Sequence, residues 1–141
     1  MTMKSYLLLF LCCLFYLNCN AQGNCVGLTK TEILDLFKTK YSGWEQSTGT
    51  SEKGNKYVFY FKEENKESDK PYNLKYYFDE ENVCTETIMI YTIDNLVAML
   101  SALNSKQIKA GKLKWVDETG TQVYSMHTED KVFWLNIYNI K

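Results

Sequence analysis

The chain contains no arginine; all 16 of its basic side chains are lysine. Bidentate recognition of phosphate or carboxylate is the speciality of arginine. With a formal net charge of −1 and a sequence pI near 5.9, a nucleic-acid partner is not expected. Histidine is almost as scarce, with His127 standing alone. An ordinary metal site needs several His, Cys or carboxylate ligands at set spacings. None is visible, so no metal and no cofactor is expected. Any nucleophile–base pair would have to use His127, and its neighbours Ser125 and Thr128 form no known motif. It reads as an exposed imidazole beside a turn. Seven glycines include no phosphate-cradling loop, and Pro71 is the single proline.

Paired acids occur at Glu80-Glu81, Asp117-Glu118 and Glu129-Asp130. All three fall in predicted turns. Glycosidase chemistry needs two carboxyl groups flanking a cleft, and a calcium loop needs Asp-rich ligand spacing. Neither pattern is present.

Long hydrophobic runs are confined to one, from Tyr6 to Leu17, preceded by Lys4 and followed by Cys19, Asn20 and Ala21. A charged start, a short apolar core and a small-residue cleavage site define a secretory signal peptide. Cleavage is predicted between Ala21 and Gln22, giving a signal over 1–21 and one domain over 22–141. The run is too short for a spanning helix, which needs roughly 20 residues, so no transmembrane span is expected after cleavage. The alternative is lipidation at Cys19, against which Asn18 and Tyr16 count. The expected location is periplasmic or secreted.

Removal of residues 1–21 would leave two of the five cysteines, Cys25 and Cys84. Outside the cytosol an even pair predicts a disulfide. Closing a loop of about 60 residues would stabilise the fold by roughly 4 kcal/mol in the chain-entropy model.

Thr29 followed by Glu32 forms a capping box. Ile33, Leu34, Phe37 and Tyr41 then recur at helical spacing, up to Ser42-Gly43. Strands are predicted from Trp44 to Thr50, Tyr57 to Phe61, Asn73 to Phe78 and Val83 to Tyr91. The mixed-charge stretch Lys62–Lys70 reads as a solvated loop. A second helix is expected from Asp94, as N-cap, to Ile108, with Gly111 as its stop. Strands over Lys112–Asp117, Gln122–His127 and Val132–Ile140 close the chain. Trp44 and Trp115, each ahead of a glycine turn at Gly54 and Gly120, give a faint internal echo. Helix, strands, helix, strands predicts an α+β fold: a two-layer antiparallel sheet of about 6–7 strands with two helices on one face.

Period-two alternation assigns faces. Phe133, Leu135 and Ile137 are expected under the helices, and Trp134 and Tyr138 on the far side. The far face is predicted to display Tyr60, Tyr77, Tyr91, Trp134 and Tyr138. Aromatic rings with polar tips suit a contact surface, although the same residues also stabilise strands by cross-strand pairing. The expectation is an exported, small, non-catalytic binding domain. It would be a protein-interaction or inhibitor-type module of the bacterial cell envelope, engaging a protein or envelope ligand. The alternative is a small periplasmic hydrolase, or a small-molecule or glycan-binding protein.

Overall fold

The computed structural model describes residues 24–40, 43–62 and 71–140. The predicted signal, Cys19, Tyr41 at the end of the predicted first helix and most of the charged stretch after Lys62 lie outside them. Helix α1 (Lys30–Lys40) starts at the predicted capping box. The Glu32 carboxylate accepts from the Thr29 backbone N–H at 2.8 Å and from its hydroxyl at 2.8 Å, while Thr29 Oγ1 accepts from the Glu32 N–H at 3.3 Å. Four strands follow: β1 (Glu45–Thr50), β2 (Lys56–Phe61), β3 (Asn73–Phe78) and β4 (Cys84–Thr92).

A 3-10 turn (Ile93–Asn95) leads into helix α2 (Leu96–Lys106). The expected Asp94 cap is not made. Asn95 occupies the N-cap without a side-chain cap bond, and its amide turns back to Thr92 Oγ1 at 3.0 Å. The helix also stops before the predicted Ile108, because β5 (Ile108–Gly111) intervenes. That strand escaped prediction for a physical reason: it is four residues long, exposed throughout, and ends on glycine. Strands β6 (Lys114–Val116), β7 (Gln122–Thr128) and β8 (Val132–Asn139) complete one antiparallel sheet of eight strands.

The strand order is β1-β2-β3-β4-β8-β7-β6-β5. Each half is thus a helix followed by a four-strand meander, and the halves join antiparallel along their last strands, β4 and β8. The echo exists in topology. The residues that suggested it are not equivalent, because Trp44 precedes β1 whereas Trp115 lies inside β6.

Three hairpins share one device. Ser51, Asp79 and Asp117 each begin a turn and hold backbone N–H groups further along it with a side-chain oxygen. Gly54, Asn82 and Gly120, near the end of each turn, have φ of 83°, 60° and 69°. Glycine adopts that left-handed geometry freely, and asparagine tolerates it.

Both helices pack on the same face. Val58, Tyr60, Leu74, Tyr76, Met89, Tyr91, Phe133, Leu135 and Ile137 form its buried centre, with Ile33 and Phe37 from α1 and Leu103 from α2. Phe37 stacks on Tyr60 with ring centroids 3.5 Å apart. Trp115 is fully buried and donates from Nε1 to Asn104 Oδ1 of α2 at 2.9 Å. The expected α+β sheet with helices on one face therefore describes the chain coarsely, with eight strands where about 6–7 were expected.

The predicted Cys25–Cys84 disulfide is not formed in the structure. Both residues are buried and converge on Thr87. The Cys25 N–H donates to Thr87 Oγ1 at 3.3 Å, and Cys84 Sγ lies 3.8 Å from the same oxygen. A turn with Gly27 at φ 92° fixes the approach, with the Gly27 N–H donating to the Cys84 carbonyl at 2.8 Å. The two cysteines are thus brought into one neighbourhood and used there as small buried side chains.

Candidate functional site

Register sorts the predicted surface residues into two groups. Tyr77, Trp134 and Tyr138 lie on the face opposite the helices, half-buried. Tyr60 and Tyr91 do not; they are 2% and 3% exposed on the helix side. The reason differs between the strands. In β2 both alternating sets are aromatic or apolar, so the phase is not readable from composition, and Val58 and Tyr60 are the inward pair. In β4 a bulge places Glu86 opposite Tyr77 but Cys84 opposite Phe78. Cys84 therefore shares a face with Thr87, Met89 and Tyr91 rather than with Ile88 and Ile90.

The open face consists of three rows across paired strands. One row reads Tyr57, Tyr77, Glu86, Tyr138, Val123 and Val116. The second reads Phe59, Lys75, Ile88, Asn136, Ser125 and Lys114, and the third Phe61, Asn73, Ile90, Trp134 and His127. Most of these side chains are half-buried, and neither described helix packs on them. Tyr57, Phe59, Phe61, Ile88, Ile90, Lys75 and Glu86 were missed as surface candidates. The signal that finds them is register: once Trp134 is placed outward, its cross-strand partner Ile90 must follow.

Several contacts order this face. Tyr57 and Tyr77 meet edge to face at 5.8 Å, and Phe59 and Phe61 stack at 5.4 Å. Lys75 Nζ sits 3.9 Å from the Tyr57 ring centre and 5.0 Å from that of Tyr77. Tyr57 reclines over β1, where Gly49 makes room; a Cβ there would come 2.5 Å from the Tyr57 hydroxyl. His127 is exposed and lies against Trp134, with ring centres 5.3 Å apart.

A cleft of about 770 Å³ crosses one end of the face. The β1–β2 turn contributes Asn55, and the β5–β6 hairpin contributes Ala110 and Lys114, so both halves build it. Glu86 and Tyr138 are on its walls; His127 is not. Burial pushes the Glu86 carboxyl above its ordinary value of 4.5, with Lys53 pulling the other way. Its hydrogen-bond donor is Asn136 Nδ2, at 3.4 Å.

The turn acids do different work. Asp117 accepts from the backbone N–H groups of Thr121 and Gln122 at 2.8 and 2.9 Å and from the Thr119 hydroxyl at 2.7 Å. Partial burial pushes its carboxyl up, but these bonds together outweigh that and leave it below its ordinary value. Among the described residues no group of three or more His, Cys, Asp or Glu could hold a metal ion. No described helix is long and apolar enough to cross a membrane.

Comparison of the chain with protein-family models, with curated proteins and with solved structures finds no match.

Proposed function

We propose that this chain is an exported, non-catalytic binding domain that engages a protein partner of the bacterial cell envelope through the open face of its sheet. The observation that carries the reading is the contrast between the two faces. One is closed by both helices. The other holds three rows in which aromatic and aliphatic side chains, most of them half-buried, are interspersed with polar ones, and neither described helix packs on them. Tyrosine and tryptophan offer large contact area at low entropic cost, and such rings dominate binding energy in protein interfaces. Glu86 is the one carboxylate on the cleft walls, and the single imidazole lies elsewhere. That favours binding over a hydrolytic reading, which requires an acid and a base around one reacting atom.

Affinity capture with the full chain and with a Trp134→Ala, Tyr138→Ala double variant tests the face. Neither residue belongs to the buried core, so the double variant is expected to keep the fold and lose the partner. Equal recovery of the same partner would remove this face from the reading. Export is tested separately: the mass of the chain recovered outside the cytoplasm is expected to correspond to a start at Gln22, and a lipid adduct on Cys19 would replace cleavage with anchoring.

A further inference from the structure

We propose that the cleft at the end of the open face receives a cationic side chain, lysine or arginine, from the protein partner, with Glu86 as its counter-ion and the Tyr138 ring on its wall. The proposal rests on the open-face reading and names the chemistry of its central contact.

The cross-strand neighbours of Glu86 are Tyr77 on β3 and Tyr138 on β8. A carboxylate between two aromatic side chains is a setting in which an ammonium or guanidinium gains both ion pairing and cation–π attraction. Among the described residues the carboxylate receives one long hydrogen bond, from Asn136. Among the described residues no lysine lies within 4.0 Å of it, although Lys53 acts on it from beyond that distance; the one such ion pair is Lys38–Asp35, on α1. A half-buried carboxylate without a close cation carries a desolvation cost, and an incoming cation offsets it.

The chain itself shows that this region attracts ammonium groups. Lys75, in the neighbouring row, is drawn over the rings of Tyr57 and Tyr77, which share the row of Glu86. The cleft adds Val116 and Val123, which suit the methylene stem of a long cationic side chain. Lys114, at the same cleft, is exposed. An acidic guest would instead have to approach Glu86 against like charge.

The test is a titration of the isotopically labelled full chain with Nα-acetyl-lysine N-methylamide, followed by amide shifts. The neutral isostere Nα-acetyl-norleucine N-methylamide and free spermidine are parallel probes. The lysine probe is expected to shift Glu86, Tyr138 and Val123 saturably. Norleucine should bind at least about tenfold more weakly, and Glu86→Gln should weaken the lysine probe by a similar factor. Far-UV dichroism and the remaining amide shifts verify that Glu86→Gln is folded. Equal binding of norleucine, undiminished binding to Glu86→Gln, or no shift at the probe's solubility limit would overturn the proposal. Binding of spermidine alone would overturn it in favour of a free polyamine. If the lysine probe fails while Trp134→Ala, Tyr138→Ala still loses the partner, the face stands and the cation does not.

Discussion

The two halves of the molecule have the same topology and close it in opposite ways. In the first, the helix supplies the knob: Phe37 of α1 descends onto the sheet, stacks on Tyr60 and meets the edges of Tyr76 and Trp44 at 5.8 and 6.2 Å. In the second, the sheet supplies it: Trp115 of β6 is fully buried and anchors α2 through Asn104, while Leu103 is the helix's single buried side chain. Helix α2 is the more apolar of the two, LVAMLSALNSK against KTEILDLFKTK, yet it buries less of itself. Apolar composition therefore does not rank the helices by burial. The side that carries the large aromatic residue does.

The contrast predicts unequal costs of truncation. Phe37→Ala removes the stacked ring and leaves a void under α1, and should cost about 3–5 kcal/mol in urea unfolding. Leu103→Ala should cost about 2–3 kcal/mol, the low end for a buried leucine, because Trp115 carries much of the closure. Equal losses would break the comparison. Asn104→Ala tests the second anchor by leaving the indole N–H of Trp115 without its acceptor, for about 1–2 kcal/mol. Tyr60→Phe should move stability the other way. The Tyr60 hydroxyl is buried and has no hydrogen-bond partner among the described residues. Burial first, and the nearby Cys25 second, push its pKa up to about 12. Deleting that oxygen while keeping the stack on Phe37 is expected to stabilise by about 1 kcal/mol.

Each half also has its own acid-sensitive lock. In the first it is Glu32, held below its ordinary 4.5 by the hydrogen bonds from the Thr29 backbone and hydroxyl. In the second it is Asp117, below its ordinary 3.8. A carboxyl with a depressed folded pKa contributes stability that is present above its unfolded value and lost as pH falls through the folded value. Unfolding midpoints measured downward from pH 6 should therefore fall below about pH 4.5, and Glu32→Gln or Asp117→Asn should each flatten that fall. An unchanged acid limb in both variants would show that neither lock acts.

Much of the first half was legible in sequence because its signals are local. The Thr29–Glu32 box starts the helix where it should, and β3 begins and ends where alternation places it. In β8, Phe133, Leu135 and Ile137 lie inward as expected. What was not legible was non-local. The phase of β2 depends on which aromatic set its neighbours bury, and the phase of β4 on a bulge visible only when Tyr77 and Phe78 are paired with it. Two of five predicted surface residues, Tyr60 and Tyr91, failed for those two reasons. Strand β5 exists because β6 offers an edge, which its own exposed Ile-Lys-Ala-Gly does not advertise.

The smallest expected effect is the sharpest check on the unequal helices. Val97, near the start of α2, is 78% exposed, whereas Ile33 of α1 is fully buried. Replacing a β-branched residue by lysine costs a helix little in intrinsic propensity. Val97→Lys should therefore change stability by no more than about 0.5 kcal/mol, the usual range for a surface site. Ile33→Lys would bury an unpaired ammonium and should prevent folding outright. If α2 instead packed as its apolar composition suggests, Val97 would be in the core and its substitution would be as damaging as that of Ile33. A thermal midpoint for Val97→Lys within a few degrees of the parent therefore separates burial from hydropathy in this helix.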